Sequence, residues 1–211
     1  MPLSSSTAYT ALVANPVNFL KTYTLRLAGV GNKPSAEYEV ALGAYSADEA
    51  PIVLKSGANG QFFKMGPSGA IKDGAHQTLV HVVRMDPNAN EIKPYTLGGN
   101  GSSVMITGEL TGCCFIVWNK GQSVKVAHVN PSGFKAADLR AFLKEEHPGA
   151  QIVYGHEEDE NERGMYGDNR TVSIFGVRGA DGQWRLYAQK RERDTQKFCS
   201  LYQIYPEHSK M

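Results

Sequence analysis

Residues 107–133 read TGELTGCCFIVWNKGQSVKVAHVNPSG. Two apolar, β-rich runs, 115–118 and 123–129, flank NKGQ, which is the pattern of a β-hairpin. With Lys120 and Gly121 at the tip, Asn119 faces Gln122. Counting back along both strands then sets Cys113 directly opposite His128. Directly opposed side chains have Cβ atoms roughly 4.5–5.5 Å apart, near enough for an imidazole to take a thiol proton. A three-residue loop with Gly121 as a bulge slips the register by one and gives the histidine's face to Cys114 instead. The residues alone leave the choice between Cys113 and Cys114 to the register of the hairpin.

Outward from the hairpin, strand patterns recur at 22–30, 37–45, 51–55, 77–85 and 102–107. DPNAN closes the fourth of these as a turn. RTVSIFGVRG and WRLYAQKRER read as a second hairpin across ADGQ, and FCSLYQIYP as a last strand. FKAADLRAFLKEE, 134–146, is the clearest helix: Leu139, Phe142 and Leu143 share a face, Ser132 is placed to cap the start, and Pro148-Gly149 stops it. Many strands with one clear helix predict an α+β domain, a β-sandwich or strongly bent mixed sheet with the helix packed outside. With no repeat or low-complexity linker, residues 1–211 are expected to form a single catalytic domain, with residues 1–15 disordered or export-related.

The composition is that of an ordinary globular domain, 41% hydrophobic and 20% charged over 211 residues. A net charge of +1 supplies no field that draws the chain to nucleic acid or membrane. No apolar run is long enough to span a bilayer, and the N-terminus has no secretory signal pattern. Neither nucleic acid nor membrane is therefore expected as a partner, and the chain is expected to be monomeric. Three cysteines, two of them adjacent, suggest free thiols.

A thiolate beside a histidine is a nucleophile held as an ion pair. Thr111-Gly112 before Cys113 leaves backbone N–H groups free to face an oxyanion, so Gly112, Thr111 and Cys114 are candidate oxyanion or pocket residues. Taken alone, a cysteine and a histidine in a hairpin are ordinarily packing residues. A thiol peptidase or acyltransferase using the same pair, or a non-catalytic binding module, therefore stand as alternatives. His76 and His81, five apart on a strand, point to opposite faces, and no other Cys/His spacing suits a metal, so neither metal nor cofactor is expected. GGNGSS, 98–103, reads as a flexible loop, and it walls the site if the fold brings it near Cys113. QKRERDTQK, 189–197, reads as a solvated strand face, HEEDENERGMYGDN, 156–169, as a solvated charged loop, and Cys199 as buried. Asn18, Asp73, His147 and His156 show no usable spacing.

The segment LTGC, an apolar strand, an NKG turn and a strand ending in His128 resembles the catalytic segment of the cytotoxic necrotizing factor family, which deamidates a glutamine in Rho GTPases. There the segment runs Leu-Ser-Gly-Cys, a hydrophobic strand, a Lys-Gly turn and a strand ending in histidine. The Burkholderia lethal factor, which deamidates a translation-initiation helicase, and the chemoreceptor glutamine deamidases share the arrangement. The match covers about 25 residues, with Thr111 in place of the serine and a doubled cysteine as departures. The resemblance implies a deamidase toxin-like fold and a protein-glutamine deamidase with Cys113 as nucleophile and His128 as base. It also implies that Thr107, the threonine shortly before the cysteine, orients the histidine. A Rho-family GTPase or translation helicase is then the candidate target. The setting it implies is an effector secreted or injected by a bacterium and acting in the host cytoplasm, or else action in the bacterial cytoplasm.

Overall fold

The computed structural model describes residues 4–27, 34–45, 62–66, 76–86, 91–120, 123–130, 133–157, 165–206 and 209–211. The expected strand at 51–55, the turn after Asp86, Asp73, Ser132 and the hairpin tip 121–122 lie outside the described residues. The fold is α+β, with two mixed sheets face to face and helices on both outer sides.

The larger sheet contains β1 (Thr24–Leu27), β2 (Ala36–Tyr45), β3 (Phe62–Gly66), β4 (His76–Val83), β7 (Val104–Thr107), β11 (Arg170–Arg178), β12 (Trp184–Glu192), β13 (Phe198–Tyr205) and β14 (Ser209–Lys210). Their order is β1-β3-β2-β4-β7-β11-β12-β13-β14. The pairs β1–β3 and β4–β7 are parallel, and the others are antiparallel. The smaller sheet holds β10 (Ile152–Tyr154), β8 (Cys114–Lys120), β9 (Ser123–Val129) and the two-residue β5 (Met85–Asp86), with β6 (Tyr95–Leu97) also on β9.

Side-chain alternation sorts the core into layers. Val83, Met105, Phe115, Val117, Val126, Val172 and Ile174 meet between the sheets. Val80, Val82, Val104 and Ile106 point the other way, onto two N-terminal helices. Strands buried on both faces explain why the sequence shows continuous apolar runs such as CFIVW. On the outside of the smaller sheet, Cys114, Ile116, Ala127 and Val129 pack under Leu139 and Leu143 of helix α3 (Ala136–Glu146). That helix begins one residue after Lys135, which makes no side-chain cap bond.

Two expectations are corrected here. From Ser4 on, the N-terminal segment is helical: α1 (Ser5–Ala14) and α2 (Pro16–Thr22) bury Ala8, Leu12, Phe19 and Leu20 against the larger sheet. Ser4 caps α1 by accepting the Thr7 N–H, an arrangement worth about 1 kcal/mol. Asn15 ends α1 and caps α2, and Pro16 supplies the fixed φ of a first helical turn. The segment 189–197 is interior at residues 189–191 and 196 and exposed at 193, 194 and 197. Gln189 and Arg191 are fully buried and Lys190 nearly so, because β12 is a central strand with both faces covered. Arg191 donates to Glu109, Ser173 and Gln196, and Lys190 donates to the Met165 carbonyl. No helix of the described residues is long and apolar enough to cross a membrane.

Candidate functional site

The hairpin forms, in a register two residues away from the expected one. Lys120 pairs with Ser123, Phe115 with His128 and Cys114 with Val129. Asn119 and Lys120 stay in the ladder, so the connection moves on to 121–122. A shift of two keeps every side chain on its face. Cys113, one residue before β8, therefore shares the inter-sheet face with His128 but sits diagonally from it. Diagonal neighbours are roughly 7–8 Å apart rather than in contact. Cys114 points outward beneath α3.

His128 is buried and faces the larger sheet, where Thr107 ends β7. Thr107 Oγ1 and His128 Nδ1 are 2.7 Å apart, a hydrogen bond that crosses between the two sheets. The other ring nitrogen, Nε2, is buried with no partner among the described residues. Burial holds the imidazole pKa down to about 3, with a smaller push from the Arg84 guanidinium, so the ring is neutral.

Cys113 is also buried, and burial pushes its thiol above the ordinary value, partly opposed by the Thr111 backbone. The expected ion pair is absent in this state, and no hydrogen bond joins the two groups. The Cys113 thiol is directed instead at Met85 Sδ, 4.0 Å away. Met85 pairs with His128 in the β5–β9 ladder and is 41% exposed, so it covers the sulfur from solvent.

The oxyanion expectation needs correction at Gly112. Its N–H donates to Tyr166 Oη at 3.0 Å, and the same phenol donates to the Cys113 carbonyl at 2.6 Å. Tyr166 thus clamps the peptide before and after the cysteine. Thr111 is exposed, with its carbonyl held by Arg193. Cys114 is fully buried, and burial pushes its thiol up to about 12. Its sulfur lies where a Cβ on Gly155 would fall, at 2.5 Å. That contact makes Cys114 a packing residue wedged between Gly155 and Arg140.

Tyr166 was not legible as a site residue. It lies in the segment 156–169, expected to be a solvated loop, yet Met165 and Tyr166 are buried and His156 nearly so. Its tyrosine is framed by glycines and charges, and only the fold brings it under Cys113. His156 Nε2 and Asp168 Oδ1 are 2.8 Å apart, with the ring edge on Tyr166.

His76 and His81 diverge: His76 stacks on Tyr9, while His81 Nδ1 meets Tyr95 Oη at 2.7 Å and its Nε2 lies 3.4 Å from Glu37. The 98–103 loop is tied down on that side. Glu37 accepts the Ser102 N–H, and Arg178 and Trp184 donate to its carbonyls. Gly101, at φ +85°, has no room for a Cβ against the Glu37 carboxylate. Cys199 is exposed.

A cavity of about 690 Å³ opens beside His128. Its walls include Ser35, Arg84, Met85, Lys93, Tyr95 and His128.

No protein-family model matches the chain, and no curated protein sequence matches it. Among solved structures it is similar to the C-terminal domain of CNFy from Yersinia pseudotuberculosis, with 11% identity and a TM-score of 0.43 over 98% of this chain and 96% of that one.

Proposed function

We propose that the chain is a protein-glutamine deamidase with Cys113 as nucleophile, His128 as base and Thr107 as the residue that fixes the histidine. The observation that carries this reading is the 2.7 Å Thr107–His128 bond, which leaves the buried Nε2 unpartnered on the face that also bears Cys113. The resemblance of LTGC–strand–NKG–strand–His to deamidase segments supports it. For His128 to act as base, Nδ1–H donates to Thr107 Oγ1 and the Nε2 lone pair is free.

The resting pair is neutral, and Met85 must move aside before a carboxamide reaches the sulfur. The Cys113 proton then passes to Nε2 as sulfur bonds to the carboxamide carbon. The tetrahedral intermediate collapses by breaking the C–N bond, with His128 returning the proton to the departing ammonia. Water, activated by the same nitrogen, opens the thioester and leaves glutamate and a free thiol. The proposed substrate is a target protein presenting a glutamine, with a Rho-family GTPase or a translation helicase as candidates. The proposed setting is that of a bacterial effector acting inside a host cell.

The test is incubation with candidate proteins, followed by intact-mass analysis for the exchange of NH2 by OH and by assay of released ammonia. Cys113→Ser and His128→Ala should abolish both signals, and Cys114→Ser should retain them. Ammonia release that survives Cys113→Ser removes the mechanism, and cleaved chains in place of deamidated ones would make the protein a thiol peptidase.

A further inference from the structure

Between β4 and β5 the chain passes from the larger sheet to the smaller over a single residue. Val83 pairs with Thr107 in the larger sheet and Met85 pairs with His128 in the smaller, so Arg84 stands at the crossing. Its backbone N–H is fixed by Ser35 Oγ at 2.9 Å. Its side chain lines the cavity beside His128, and its Nε is buried without a partner among the described residues.

The other interior cations are treated differently. Arg191 holds Glu109, Ser173 and Gln196, Lys190 holds the Met165 carbonyl, and Arg140 holds the Val153 carbonyl and Glu157. A buried guanidinium N–H is ordinarily satisfied; the Arg191 Nε too is unpartnered among the described residues, but that guanidinium is held at its other nitrogens, whereas Arg84 lines a cavity. A second cation, Lys93, lines the rim of the same cavity, largely exposed and with its Nζ 3.9 Å from Glu91. The one acidic wall residue, Asp86, turns a carboxylate oxygen to the Lys93 backbone N–H at 3.4 Å. The volume lies within the roughly 300–1,000 Å³ of ligand sites. It adjoins the reacting histidine instead of containing the thiol.

We infer that this cavity binds a carboxylate through the Arg84 guanidinium, and that the carboxylate belongs to an acidic residue next to the glutamine of the substrate protein. Planar guanidinium and carboxylate groups pair through two parallel N–H···O bonds, and such a pair fixes direction as well as position. A glutamine anchored by its acidic neighbour would reach Cys113 in one orientation. The assignment of the carboxylate to the substrate rests on the deamidase reading, whereas carboxylate binding does not.

Binding is measured on Cys113→Ala protein, so that it is independent of turnover. The arginine Nε–H resonance of Arg84 is followed by NMR during titration with N-acetyl-glutamate α-amide, N-acetyl-glutamine α-amide or inorganic phosphate, the two amides differing only in the side-chain carboxylate. The glutamate derivative should shift that resonance saturably and the glutamine derivative should not. Arg84→Gln should weaken binding about tenfold or more, the size expected for loss of a charge-assisted pair, while Arg84→Lys recovers part of it. An unmoved resonance, an equal response to the glutamine derivative, a response to phosphate alone, or full binding by a folded Arg84→Gln protein overturns the site. In the active enzyme, N-acetyl-glutamate α-amide should inhibit ammonia release competitively, and Arg84→Gln should lose that inhibition. Binding without competition overturns the substrate assignment. Active enzyme with no carboxylate binding overturns the site and leaves deamidation intact, and binding by a chain that releases no ammonia overturns deamidation alone.

Discussion

Acidification should destabilise this protein through His128, by an amount that follows from its burial. The folded-state pKa is held down to about 3, chiefly by burial. A histidine in an unfolded chain titrates near ~6.5. Between those values the unfolded chain binds a proton that the folded chain refuses. Stability is therefore complete above the unfolded pKa and falls as the pH drops from there toward the folded value. Linkage over this interval gives a loss of about 2 kcal/mol between pH 7 and pH 5, and between roughly 4 and 5 kcal/mol by pH 3. Urea unfolding followed by the fluorescence of Trp118 and Trp184 measures it at pH 7, 6 and 5, in the wild type and in His128→Asn. His81, which burial also pushes down, titrates in both proteins and cancels in the comparison. The wild type should lose about 2 kcal/mol more than the variant across this range. Parallel pH curves would show that His128 is not held neutral by burial, and the picture of a neutral base would fall with it.

Met85→Ala should uncover the Cys113 thiol, and iodoacetamide should then alkylate it severalfold faster; an unchanged rate would mean that Met85 is not the cover. Gly155→Ala should cost about 1–3 kcal/mol by forcing a methyl group onto the Cys114 sulfur, and Cys114→Ala in the same chain should recover most of it in urea melts. Additive costs would place Cys114 elsewhere. Thr107→Val should strand the buried His128 Nδ1 at about 1–3 kcal/mol and lower the rate of ammonia release roughly tenfold or more, while Thr107→Ser keeps both. Full activity in Thr107→Val would remove the orienting role.

The fold class was legible because the strands carry it. FIVW, 115–118, is apolar at every position, which suits a strand covered on both faces, and the runs at 102–107, 123–129 and 170–179 carry the Val, Ile, Phe and Thr that favour strands. The same double cover hid the interior of β12. Gln189, Lys190 and Arg191 read as solvated because charge is normally a surface signal, and here their partners come from distant segments: Leu20 and Tyr23 for Gln189, Glu109 for Arg191. The N-terminal helices were hidden for a different reason. Ser, Thr and Asn are weak helix formers in the interior of a helix but good caps at its ends, and Ser4 and Asn15 serve as caps. What stabilises α1 and α2 is a sheet face that local sequence does not display.

The site turned on a distinction between register and face. The sequence placed Cys113 and His128 directly opposite, and the ladder displaces them by two residues, because Asn119 and Lys120 remain paired in place of turning. An even displacement preserves the face, so Cys113 stays on the histidine's side and Cys114 on the helix side, whereas an odd one would have exchanged them. It does change the chemistry of the resting state. Opposed residues would touch and share a proton as an ion pair. Diagonal residues leave a gap, and Met85, paired beside His128 on β5, meets the sulfur there. Both groups are then dry and neutral, a poor arrangement for attack by a thiol on a chance solute. Reactivity would be confined to a partner that displaces Met85 and carries a carboxamide into the gap. The proposed deamidation needs that selectivity, since an exposed thiolate would be spent on any electrophile or oxidant it met.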